Sequence, residues 1–324
     1  MADLKSISSA GVAKHWPTRK AIVNRLTKSV SNRTPLAKVE AYNNRIDSGN
    51  TVNLPPNSTY VPVSAELWHQ AEILALTGRP WEQEMTLALG VRAFCDQLFF
   101  FWHQNFRVLY PDHPQPLRML SWESMMEATA WEFILGRIQE GIYHGYLAFA
   151  ALNRGYQLQI SYSDKHRRVH VFVLRLFSLW RGDVTHDWPA YGYDEPIYEG
   201  ILERWDRPDL DDLTPWLLAA CDRHTHESRM DSETKFYDCS EFARTPLEIL
   251  FLFRLRELKG LANPTLNHPL MDAPFEKLLE VQPAYVPDEL VLGTLRRVRE
   301  DWPQYDEVVA LEALKSQPTS TKMK

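Results

Sequence analysis

The residues best suited to chemistry fall in one window. Cys221, His224, His226 and Cys239 offer thiol and imidazole ligands, and Asp222, Glu227, Asp231, Glu233, Asp238 and Glu241 surround them with carboxylates. Thiolate and imidazole are zinc ligands, while carboxylates suit magnesium or general acid–base work. The spacing argues against a metal. Two residues separate Cys221 from His224, fourteen separate His224 from Cys239, and no CxxC knuckle is present. Cys221 also falls on the apolar side of its helix. No stoichiometric metal and no cofactor are expected here, and solvated loop acids account for the carboxylates. A helical metal-dependent hydrolase using the 222–241 histidines and acids is the alternative reading.

Elsewhere the usual catalytic signatures are missing. His166 and His170 are four apart, but HRRVH lacks the glutamate of a zinc-protease helix and sets arginines where a cation would sit. Cys95 lies in an apolar helix, where a thiol packs rather than reacts, and His103 and Asn105 follow it on the same helix. The chain has no GxSxG elbow, no GxxxxGK[ST] loop and no GxGxxG after a strand. No residue is assigned a catalytic role.

A second stretch suits recognition instead. Residues 183–212, DVTHDWPAYGYDEPIYEGILERWDRPDLDD, carry ten acids against Arg204 and Arg207, a formal −8 where the whole chain has −6. Trp188, Tyr191, Tyr193, Tyr198 and Trp205 are interleaved with those acids. Carboxylates resist burial, while Trp and Tyr are strong interface anchors. The mixture fits a surface that meets a basic protein, with Asp187, Trp188, Tyr191, Tyr193, Asp194, Glu195, Glu199 and Glu203 as its contact residues. A solvated loop with rings tucked into the core is the plainer reading of the same pattern. The first fifty residues carry nine Lys or Arg and three acids, a formal +6. Their preferred use is to pair with the acidic stretch inside the molecule, so neither nucleic acid nor a membrane surface is expected as a partner.

The elements that must position these residues read as helices. The chain has 324 residues with 44% hydrophobic and 24% charged, an ordinary globular balance, but only 13 glycines. Three cysteines form no disulfide framework, and no 18-residue apolar run is free of charge. The N-terminus lacks the apolar centre of a signal peptide, so cytoplasmic residence is expected. Short helices are predicted over Thr18–Ser31 and Leu36–Ile46, then an extended linker over 48–63. Ser64 is the expected N-cap of a helix ending at Gly78, followed by a central helix from Pro80 to about Leu109. One long helix is expected from Ser121 to Asn153, its small Gly136, Gly141 and Gly145 allowing close helix approach. Residues 156–162 alternate loosely, as a short strand would. Val169, Phe172, Val173, Leu176, Phe177 and Trp180 make Arg167–Arg181 an amphipathic helix stopped by Gly182. Further helices are expected over Pro196–Trp205, from a Thr214 cap, from a Thr245–Glu248 capping box, and over Pro287–Trp302. In the capping-box helix, Arg254, Arg256, Glu257 and Lys259 should return the chain to solvent. The fold class is all-α, a multi-helix bundle of antiparallel helical hairpins with little or no sheet. The expected organisation is a basic helical segment and linker at 1–63, one helical domain at 64–314, and a disordered tail at 315–324.

Three segments resemble a known family. LWHQAEILALTGRPWEQ at 67–83, ARTPLEILFLFRLRE at 243–257 and NHPLMDAP at 267–274 are similar to helical immunity proteins encoded beside bacterial toxins. The likeness is to the TsiT type, which protects against a nuclease effector of the type VI secretion system. It covers roughly residues 64–302 as an overall helical pattern. It implies a cytoplasmic, non-enzymatic protein that binds one cognate toxin and blocks it. TPLEI and HPLM are packing and turn motifs, so no binding residue is carried over. The acidic aromatic stretch would suit the basic active site of a nuclease.

Overall fold

The computed structural model describes residues 11–30, 36–45, 57–110, 120–154, 158–159, 168–228 and 238–316. The chain is all-α. Its helices are α1 Arg19–Val30, α2 Ala37–Asn43, α3 Asn57–Leu76, α4 Glu82–Leu109, α5 Trp122–Ile134, α6 Ile138–Asn153, α7 Arg168–Arg181, α8 Pro196–Leu202, α9 Leu210–His226, α10 Leu247–Leu258, α11 Glu289–Asp301, α12 Tyr305–Val309 and α13 Leu311–Lys315. Two two-residue strands, β1 Leu120–Ser121 and β2 Leu158–Gln159, pair in parallel.

Helix α5 is the hub, in contact with α4, α6, α7 and α10. Its residues from Met125 to Ile134 are buried on every side, Glu127, Thr129 and Glu132 among them. Phe133 shows how the neighbours lock on. It meets Phe177 of α7 and Phe251 of α10 edge to face, at centroid distances of 6.2 and 5.3 Å. Such pairs add about 0.5–1.5 kcal/mol beyond the area they bury. Helix α4 starts with Glu82 and Glu84 in its first turn, where carboxylates offset the helix dipole. It runs to Leu109 and packs on α3, with Tyr60 edge to face on Phe94.

Several boundaries depart from the expected ones. Helix α3 begins at Asn57, so it crosses the expected boundary at 63/64 and contains Pro62. Ser64 is not a cap; its hydroxyl donates to the Val61 carbonyl. Residues 48–56 of the expected linker, and 317–324 of the expected tail, lie outside the described residues. The single helix expected over 121–153 is broken into α5 and α6. Gly136 adopts φ +74°, and the Arg137 N–H folds back onto the Glu132 carbonyl. That left-handed turn ends α5. Gly141 and Gly145 act as close-approach positions: a β-carbon there would lie 2.4 Å from the Phe133 ring and 2.3 Å from the Phe177 ring.

Helix α9 starts at Leu210 rather than at a Thr214 cap. Asp209 accepts from the N–H groups of Asp211 and Asp212, and Pro215 lies inside the second turn, where it removes one backbone hydrogen bond. Because α9 continues to His226, the first part of the expected 222–241 loop is helical. Arg254 and Arg256 do not reach solvent. Arg254 donates to the Phe133, Ile134 and Leu279 carbonyls, capping the end of α5. Arg256 is fully buried and donates to the Trp205, Arg207 and Ala262 carbonyls. A guanidinium has five donors, which lets one side chain satisfy several buried loop carbonyls.

Candidate functional site

The acidic stretch is the connection from α7 to α9, and arginines behind it hold it down. Arg168 binds Asp194 with two hydrogen bonds, both 2.7 Å. Arg175, two helical turns further along α7, donates to the Gly192 carbonyl at 2.7 Å and to Glu199. Its guanidinium also lies over the Tyr193 ring, 4.5 Å from the centroid. Arg223 of α9 binds Glu195 at 2.6 Å, and Glu195 in turn caps the start of α8. Arg181 pairs with Asp183, and Lys259 with Asp206. Together Arg168, Arg175, Arg181, Arg223 and Lys259 bring five positive charges from outside the segment. They offset much of its formal −8 and leave it negative, since Arg223 is shared with the buried Asp238. Among the described residues, these cationic partners come from α7, α9 and the end of α10. Of the N-terminal segment, Ala13 N–H bonds Thr225 and the Trp16 indole bonds the Ala243 carbonyl.

The eight residues expected at a contact surface divide into two sets. Trp188 is 6% exposed and packs on Phe149 and His186. Its expected role as an exposed anchor gives way to one as an internal brace, because the ring finds apolar cover. Glu195 and Glu199, with side chains 19% and 34% exposed, are taken up mainly by Arg223 and Arg175. Tyr191 is half-buried. Asp187, Tyr193, Asp194 and Glu203 face outward, Tyr193 being 49% exposed and the Asp194 side chain 47%. Arg168, Arg175 and Arg223 were not singled out from the sequence. Their signal was present: Arg168 and Arg175, seven apart, are cations on an otherwise apolar helix, where each needs an acid.

Under this surface lies a buried polar knot. Asp238 is fully buried and accepts from Arg223 at 2.7 Å and from the Val169 N–H at 3.0 Å, with the His170 ring 3.6 Å away. Burial alone would raise its carboxyl, but Arg223, aided by His170, holds it at about 2. Arg223 also donates to the Tyr198 hydroxyl at 3.1 Å, and burial drives that phenol well above its ordinary value. One guanidinium thus joins the acidic connection, through Glu195, to the core, through Asp238.

The other expected chemistry is enclosed. His224 Nδ1 and Glu248 Oε1 are hydrogen-bonded at 2.8 Å, and Cys239 lies beside them. All three residues are 0% exposed. Glu248 is therefore not the capping-box partner of Thr245, because it is turned inward to the imidazole. Cys221 packs in the core, and His226 bonds the Gly11 carbonyl. Asp231 and Glu233 lie outside the described residues. Burial pushes the Cys95 thiol far above its usual range and lowers His103 to about 4. Neither state suits nucleophilic work.

No described helix is long and apolar enough to cross a membrane. No protein-family model, curated protein or solved structure matches this chain.

Proposed function

We propose that this chain is an immunity protein that binds and neutralises a basic toxin, a nuclease effector of type VI secretion, through the outward face of residues 187–203. One observation carries the reading. Tyr193 and Asp194 project outward while Arg175 and Arg168 fix them from behind. An aromatic ring and a carboxylate held in place before binding lose little freedom on binding, so more of their contact energy appears as affinity. A nuclease holds a polyanion with Lys and Arg, and an acidic surface can occupy the same site. The negative charge left after internal pairing still favours a basic partner. The hydrolase alternative has less support: of its 222–241 residues, His224, Asp238 and Cys239 are buried.

The test uses the purified nuclease domain of the effector encoded beside this chain, with association followed across a salt series. Asp187→Lys with Glu203→Lys should slow association and flatten its salt dependence, since both side chains are exposed. Tyr193→Ala should speed dissociation on the order of 30-fold, the roughly 2 kcal/mol of an interface hot spot. Unchanged rates for all these variants, or failure of the nuclease domain to bind, would overturn the proposal.

A further inference from the structure

The strongest unassigned feature is the enclosed trio His224, Cys239 and Glu248. It draws on three separate parts of the chain: the last turn of α9, the turn after it, and the first turn of α10. One ligand atom from each lies within 4.8 Å of the others. Two buried atoms there lack a hydrogen-bond partner, His224 Nε2 and Glu248 Oε2. The backbone around them is tied down. Cys239 N–H bonds the Glu227 carbonyl at 3.0 Å, and Ser228 donates to the His224 carbonyl at 2.6 Å. The Phe242 ring stands edge-on to the imidazole at 5.6 Å and closes one side.

We propose that His224, Cys239 and Glu248 form a structural zinc site. Three considerations converge on it. First, thiolate, imidazole and carboxylate are the three ligand types zinc takes, and a mixed S/N/O set suits zinc better than calcium or magnesium. Second, the distances are close to those required. Zinc bonds of about 2.0–2.3 Å at tetrahedral angles put ligand atoms about 3.3–3.6 Å apart. One ligand atom from each of the three lies within 4.8 Å of the others, so a modest closing brings them to that spacing. Third, the charges cancel. On binding, the Cys239 thiol loses its proton to solvent, Glu248 is ionised and His224 stays neutral, so one Zn²⁺ with two anions is neutral overall. A neutral cluster is the form a fully enclosed core tolerates, whereas a carboxylate left there with one hydrogen bond is costly. Because the trio has no exposure, such an ion would pin α9 to α10 rather than meet a substrate. This site is independent of the partner-binding proposal.

The experiment is elemental analysis of the full chain purified without chelator, together with refolding in the presence of Co²⁺. One zinc per chain is expected, and refolding with Co²⁺ should produce a thiolate-to-cobalt charge-transfer band. Cys239→Ser and Glu248→Gln should lower the zinc content and Cys239→Ser should remove the band, while the remote Cys95→Ser should retain both. If the Cys239 variant does not fold, wild-type zinc content and the cobalt band decide alone. Trace metal with no band would overturn the site. So would full zinc content in folded Cys239→Ser and Glu248→Gln.

Discussion

Replacing Asp238 by Asn tests the knot that joins the acidic surface to the core. The side chain keeps its shape and loses its charge. Holding the carboxyl at about 2, against an ordinary 3.8, stabilises the folded chain by on the order of 2–3 kcal/mol. The sign follows from the depressed value. The stabilisation is fully present above about pH 4 and is lost as the pH falls toward and through about 2. Asn also leaves Arg223, whose side chain is 8% exposed, with Glu195 as its remaining carboxylate. The total loss should be about 3–4 kcal/mol at neutral pH, in the range for breaking a buried pair. Urea unfolding followed by helical circular dichroism measures it. The gap between wild type and variant should narrow by about 1 kcal/mol at pH 3. Glu195→Gln, at the more exposed end of the same guanidinium, should cost about 1 kcal/mol or less. A neutral-pH loss for Asp238→Asn below about 1 kcal/mol, or a gap that stays constant with pH, would refute the reasoning.

Two further outcomes follow from buried groups. Glu72 lines a cavity of about 380 Å³ beside Trp68, and burial raises its carboxyl to about 7 from 4.5. A raised carboxyl opposes folding as the pH climbs above about 4.5 and through about 7, so Glu72→Gln should gain on the order of 2 kcal/mol relative to wild type between pH 5 and 8; unfolding across that range checks it. Trp188→Ala should cost about 3–5 kcal/mol of stability, because the ring packs on Phe149 and is 6% exposed; thermal melting of the isolated chain reads this out, with no partner present.

The helices were largely legible because amphipathic spacing is a local signal. Val169 through Trp180 gave α7 within one residue, and Gly182 stands at positive φ beyond α7, as its place after an apolar run suggested. Helix starts were less legible, since several residues compete for the role. Thr214–Pro215 and Asp209 are both good openings, and Asp209 prevails by accepting from two N–H groups. Among Gly136, Gly141 and Gly145, only contacts distant in sequence decide which one breaks the helix. Charge was the least legible property. Ten acids within thirty residues read as a solvated field, yet cationic partners on α7, α9 and at the end of α10 lie up to 53 residues away. Glu248 fitted a capping box by spacing, but it faces His224, 24 residues back. Local pattern fixes which segments coil; burial of the coiled segments decides which charges stay outside.

Hydrogen exchange of the full chain, alone and with the purified nuclease domain of the neighbouring effector, tests the proposed binding surface most directly. Amides from 187 to 203 should exchange more slowly in the complex, with the strongest effect around Tyr193 and Asp194. Protection confined to other parts of the chain, or no change with the nuclease domain in excess, would contradict binding through this surface.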